Sequence, residues 1–247
     1  MFKEFKFIYY VSKIVFEKKQ NVYIDELGIP KDDITTLDNK LSDIAFDIFF
    51  FGIGTDSEKI FKDDSTVSSQ FYKDVRSALE YYQKEFSESN EDLKCLSTFS
   101  IYENQTKGSL KVKGLFYEFE TKYYPFDGHI SRLGHYYRQL FQIVRYVVIQ
   151  ENDFLSKEEV LEHLKILRTQ MSNHEQLLLY YNGMSGIGLK WTGDDKNDNR
   201  DYFKEYQMIH NLPLPLAEIG HLPHIEYSPE LRKEYDIFEW KLKDDYL

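Results

Sequence analysis

Apolar residues recur at three- and four-residue steps along most of the chain, and that period predicts helices. Residues 2–19 read as a first amphipathic helix, closed off by Gly28-Ile29-Pro30. Thr36 to Phe51 follows, with Leu37, Leu41, Ile44, Ala45, Ile48 and Phe49 on one face. Its end, Ile48-Phe49-Phe50-Phe51, is apolar all round, which predicts deep burial. A third helix over Ser68 to Phe86 carries Phe71, Val75, Leu79, Tyr82 and Phe86 in register, and the polar stretch Ser87 to Asp92 reads as a turn. Between Ser109 and Tyr124 the pattern changes to the alternation of Leu110-Lys111-Val112-Lys113, which fits either a short β-hairpin or an extended loop.

The most regular pattern lies between His129 and Met184. Leu133, Tyr136, Tyr137, Leu140, Ile143, Val144 and Val147 predict a helix over Ser131 to Ile149 with one core face, while His135, Arg138, Gln142 and Arg145 form a second, polar stripe. Another helix opens at Ser156. Glu159 completes a capping box there, and Leu155 is placed to pack on Val160 as a hydrophobic staple. This helix is expected to run unbroken to Gly183, which would close it in the left-handed conformation. Val160, Leu164, Leu167, Met171, His174, Leu178 and Tyr181 make its apolar stripe, and Arg168, Ser172, Glu175 and Asn182 make a polar row beside it. About six residues join the two helices, a length that predicts antiparallel neighbours whose polar rows meet.

Beyond Gly183, the Gly-, Asp- and Asn-rich stretch to Arg200 reads as a mobile surface loop. A short helix over Arg200 to Asn211 is stopped by Leu212-Pro213-Leu214-Pro215. Ser228-Pro229-Glu230 opens a last helix that brings Tyr235, with Phe238 and Trp240, to the core. The expected fold is therefore mainly α, a single domain over residues 1–247. It comprises an N-terminal helical arm (1–35), a central antiparallel helix pair (129–184) and a C-terminal region of loop and short helices (185–247), with a short β-hairpin as an option.

Composition changes this picture in three ways. With 19 Phe, 20 Tyr and a 42% hydrophobic share, the 247 residues can build a sizeable core. A net charge of −11 argues against sequence-independent binding along nucleic acid, which leaves RNA only a local basic patch. Cys95 is the one cysteine, which excludes an intramolecular disulfide and fits a reducing, cytoplasmic setting. Lys3, Glu4, Lys6 and Lys13 interrupt the apolar N-terminus, so no stable membrane insertion is expected.

No metal or cofactor is expected. Gly183, Gly186 and Gly188 follow a helix instead of a strand and lack the Lys-Ser or Lys-Thr of a phosphate loop, and His221 with His224 is too small a ligand set. Arg168 and His174 resemble the Arg-x4–6-His pair of HEPN ribonucleases, although six steps of ~100° carry the two side chains about 240° apart on a straight helix. A core histidine is the alternative for His174. His135 and Arg138, three residues apart, share a face and could act as acid/base and phosphate holder, with Arg168 a second phosphate holder. The alternative is a closed network of Arg138, Arg168, Ser172 and Glu175 that fixes helix register.

The segments Leu133-Gly134-His135-Tyr136-Tyr137-Arg138-Gln139-Leu140, Leu164 to Glu175 and Leu177 to Asn182 resemble the phage abortive infection protein family related to lactococcal abortive infection protein C. The resemblance extends upstream to Ile44 through Gly52 and downstream to Asn211-Leu212-Pro213-Leu214. It covers His135, Arg138, Arg168, Ser172, Glu175 and Asn182. It implies bacterial antiphage defence in which the infected cell is arrested or killed before new particles mature. Two activities fit that role. One is metal-independent RNA cleavage with His135 or His174 as acid/base, Arg138 and Arg168 holding phosphate, and Ser172, Glu175 and Asn182 in binding roles. The other is a non-catalytic sensor or toxin that binds a phage or host protein, and in either case a homo-oligomer is expected.

Overall fold

The computed structural model describes residues 1–30, 33–54, 69–89, 106–112, 115–121, 125–151, 153–193 and 198–239. They are mainly helical and divide into two compact units, residues 1–130 and 131–247.

In the first unit, α1 (Phe2–Lys18) buries Phe5, Phe7, Ile8, Val11 and Val15. It packs against α3 (Ile34–Phe51), which contributes Leu41, Ile44, Ala45, Ile48 and Phe49. It also packs against α4 (Gln70–Ser89), which contributes Phe71, Val75 and Leu79. The apolar end of α3 is buried as its composition predicts, with Phe5 edge-on to Phe46 at 5.5 Å between ring centres. Asp33 caps α3 by accepting from the Thr36 N–H at 3.0 Å. The alternating tract resolves as a hairpin: β1 (Thr106–Val112) pairs antiparallel with β2 (Leu115–Thr121), Val112 opposite Leu115 and Thr106 opposite Thr121. The stretch read as a turn from Ser87 is still helix to Ser89. Residues 90–92, the side chain of Phe86 and Trp240 lie outside the described residues.

At the end of α3 two stretches of backbone touch. The Ile53 N–H donates to the Phe126 carbonyl at 2.9 Å and the His129 N–H to the Phe50 carbonyl at 2.8 Å. Gly52 (φ +84°) and Gly128 (φ +86°) stand at this crossing, where a Cβ on either would collide with the other segment's backbone.

A helix unforeseen in the sequence, α2 (Gln20–Leu27), follows α1 and buries only Tyr23, too little to set up a periodic pattern. What holds it is polar. The Tyr23 hydroxyl donates to Asp74 at 2.5 Å and Lys19 donates to the same oxygen at 2.9 Å. These two bonds, Tyr23 first, hold the Asp74 carboxyl down to about 2. A depressed folded-state value means that this stabilisation is present above 3.8, the unfolded value, and is lost as pH falls toward 2. Tyr23→Phe is therefore expected to cost about 1–2 kcal/mol near neutral pH. Urea titration should show the gap to the parent narrowing at about pH 3; a gap independent of pH would count against the Asp74 contact as its source.

The second unit is built around α5 (Ile130–Val148), which buries Leu133, Tyr137, Leu140, Phe141, Val144 and Val148. The long helix expected from Ser156 to Gly183 is in fact two, α6 (Lys157–Thr169) and α7 (Asn173–Met184). Each has a capping box: Ser156 with Glu159, and Ser172 with Glu175. The second box starts a new helix where the apolar stripe alone suggested continuation. Gly183 does not end the helix. It lies within α7, where a Cβ would run into the Phe203 ring.

The loop expected after Gly183 also folds up to Gly193, and its residues 194–197 lie outside the described residues. Gly186–Trp191 is a 3-10 helix against α7, and Trp191 is buried, stacked on Phe203 at 5.8 Å and edge-on to Phe141 at 5.2 Å. The helix expected over Arg200 to Asn211 is instead a series of turns interrupted at Gln207 (φ +54°). Those turns bury Tyr202, Phe203, Met208 and Ile209, so apolar spacing there served packing and not helix period. Short helices follow, a 3-10 turn at Leu214–Leu216, α8 (Pro223–Glu226) and α9 (Pro229–Tyr235), the last capped by Ser228 as predicted. Phe238 is buried and Tyr235 half-buried. Among the described residues, no helix is long and apolar enough to cross a membrane.

Candidate functional site

The seven residues singled out in the sequence occupy four environments. His135 and Arg138 lie exposed on the outer side of α5. Ser172 and Glu175 form the cap of α7: the Ser172 N–H donates to the Glu175 carboxylate at 2.7 Å, and the Glu175 N–H to the Ser172 hydroxyl at 3.3 Å. His174, in the first turn of α7, is exposed, so the apolar stripe does not continue through it and it is not a core histidine. Asn182 is buried, and Gly188 lies so close to it that a Cβ would collide with the Asn182 carbonyl.

Glu175 is near α5 as well as at its own helix start. Burial, and then the Glu175 charge, push the Tyr136 hydroxyl up to about 12; burial, then Tyr136 and Glu175, hold the buried Tyr137 well above its ordinary value. Ser172→Ala is expected to cost about 1 kcal/mol by removing the cap, read from urea denaturation; no loss would mean that the α6–α7 break is set by other contacts.

Arg168 has a different setting. It is 3% exposed at the end of α6, and its Nη1 donates to the Gln207 carbonyl at 2.8 Å. Burial lowers its pKa, opposed by the charges of Glu162, Asp236 and Glu239. It forms part of the wall of an open groove of about 590 Å³ in which Glu158, Glu162, Asp236 and Glu239 outnumber Lys165 and Arg168 itself. A phosphate entering this groove would meet a surplus of negative charge. No local pattern marks the groove, because its walls come from separate stretches within residues 158–169, 207–211 and 236–239. No cluster of His, Cys, Asp and Glu suited to a metal occurs among the described residues.

The outer face of α5 is the basic counterpart. The helix has no acidic residue, and Arg132, His135, Arg138 and Arg145 are all exposed. Exposed apolar groups accompany them: Ile143 at 51%, Tyr146 at 67% and Ile149, just past the helix end, at 43%. Arg145 reaches Asp198 only at 3.9 Å.

Part of the chain is similar to a known family. Residues 128–215 match the family model described as putative phage abortive infection protein. The matched segment comprises α5, α6, α7, the 3-10 helix and the aromatic turns after it, and this likeness supports antiphage defence in general. No curated protein and no solved structure matches the chain.

Proposed function

We propose that this chain serves abortive infection as a non-catalytic binding protein, with the outer face of α5 as its contact surface. The observation that carries this reading is the composition of that face: a helix without acidic residues in a chain of net charge −11, presenting arginines beside exposed Ile143 and Tyr146. Solvent-facing apolar side chains ringed by arginine suit a protein partner. The polar residues on α6 and α7, by contrast, are engaged in a carbonyl bond and a helix cap.

Phage challenge of cells carrying Arg138→Ala or His135→Ala, with circular dichroism of the purified variants, tests the proposal. Protection lost with the helical signal intact is the expected result, and full protection in both variants would overturn it. A second reading, metal-independent RNA cleavage, is favoured by one observation, that His135 and Arg138 share an accessible face three residues apart. Under that reading total cellular RNA is fragmented by the purified protein and left intact by His135→Ala; Arg168 and His174 would then be supporting residues.

A further inference from the structure

We infer that the α5 face binds a second copy of this chain, through the acidic groove beside α6; this rests on the binding reading above and names its partner. The two surfaces complement each other. The α5 face offers Arg138 and Arg145 with Ile143 and Tyr146, and the groove offers Glu158, Glu162, Asp236 and Glu239. Both stand in the second unit, and α6 adds an exposed apolar group next to its acids, Ile166 at 66%. An arginine side chain has the reach and the donors to enter an open groove and meet carboxylates there, which a phosphate would not. Three arginines on a strongly acidic chain are few for a nucleic-acid backbone, whose binding scales with the phosphates neutralised. Each copy carries both surfaces, so the contact either closes a symmetric dimer or continues into longer assemblies.

The test is a charge swap read by sedimentation velocity on the full chain. The parent is expected to self-associate at low salt and to dissociate as salt rises. R138E/R145E and E158K/E162K should each weaken self-association at least about tenfold, and an equimolar mixture should recover it because the reversed surfaces match. Circular dichroism of each variant checks the fold. A parent that stays monomeric at low salt, or a mixture that fails to recover association between two folded variants, overturns the proposal. The two readings fail separately. If the parent is monomeric yet R138E/R145E loses phage protection, the face binds something else and only the self-association falls; if that variant keeps protection, the binding reading falls.

Discussion

Glu4→Ala is expected to destabilise the first unit by about 3–5 kcal/mol, because it takes the acceptor from two buried donors at about 1–3 kcal/mol each. Glu4 is 1% exposed on α1. One carboxylate oxygen accepts from the Phe126 N–H at 2.7 Å and the other from His129 Nε2 at 2.8 Å. Truncation removes the acceptor for both donors where water does not reach, so the desolvation of Phe126 N–H is no longer offset. Phe126 also stacks on Phe7 at 5.6 Å, and His129 lies 4.5 Å from the Phe49 ring, so the loss spreads into the aromatic core. Glu4→Gln keeps the shape and one acceptor and should recover about half of the loss. Both tryptophans, Trp191 and Trp240, fall within residues 131–247, so circular dichroism reports the damage while tryptophan fluorescence follows the second unit. An unchanged dichroism midpoint would show that the carboxylate is not a structural centre.

No sequence pattern pointed to this contact, because the partners are 125 residues apart and Glu4 sits among lysines like any surface acid. What could be read was local. Ser156 with Glu159, and Ser228 before Pro229, announced their helices through bonds spanning three residues. The Ser172-to-Glu175 box has the same spelling as the first, yet it fell inside a continuous apolar stripe. Helix period alone predicts continuation there, while in the molecule the cap prevails. The same substitution of period for chemistry grouped Arg168 with Glu175. Once α6 ends at Thr169, Arg168 bonds to the Gln207 carbonyl while the Glu175 carboxylate bonds to the Ser172 N–H. The turns over residues 202–211 depart from a helix for a related reason: Tyr202 there meets Trp191 and Phe141, partners that no local spacing predicts.

Arg168→Ala is the second large effect, about 2–3 kcal/mol of lost stability in the second unit. Arg168 is buried and bonded to the Gln207 carbonyl, at a residue with positive φ, so its guanidinium ties the end of α6 to the turn that replaces the expected helix. Alanine takes away one of that carbonyl's two donors, leaving only the His210 N–H at 3.0 Å, and removes a long packed stem. It also leaves Glu162, Asp236 and Glu239 without the buried cation they surround. Arg168→Met restores most of the packing and should cost about 1 kcal/mol, since the carbonyl then competes for water from the groove. The tryptophan fluorescence transition in urea reads both variants. The comparison also separates structure from chemistry at this position. A structural arginine gives phage protection that tracks stability, with Arg168→Met close to the parent. An arginine that holds a phosphate in a reaction gives two equally inactive variants whatever their stability, and that outcome would return Arg168 to a catalytic site.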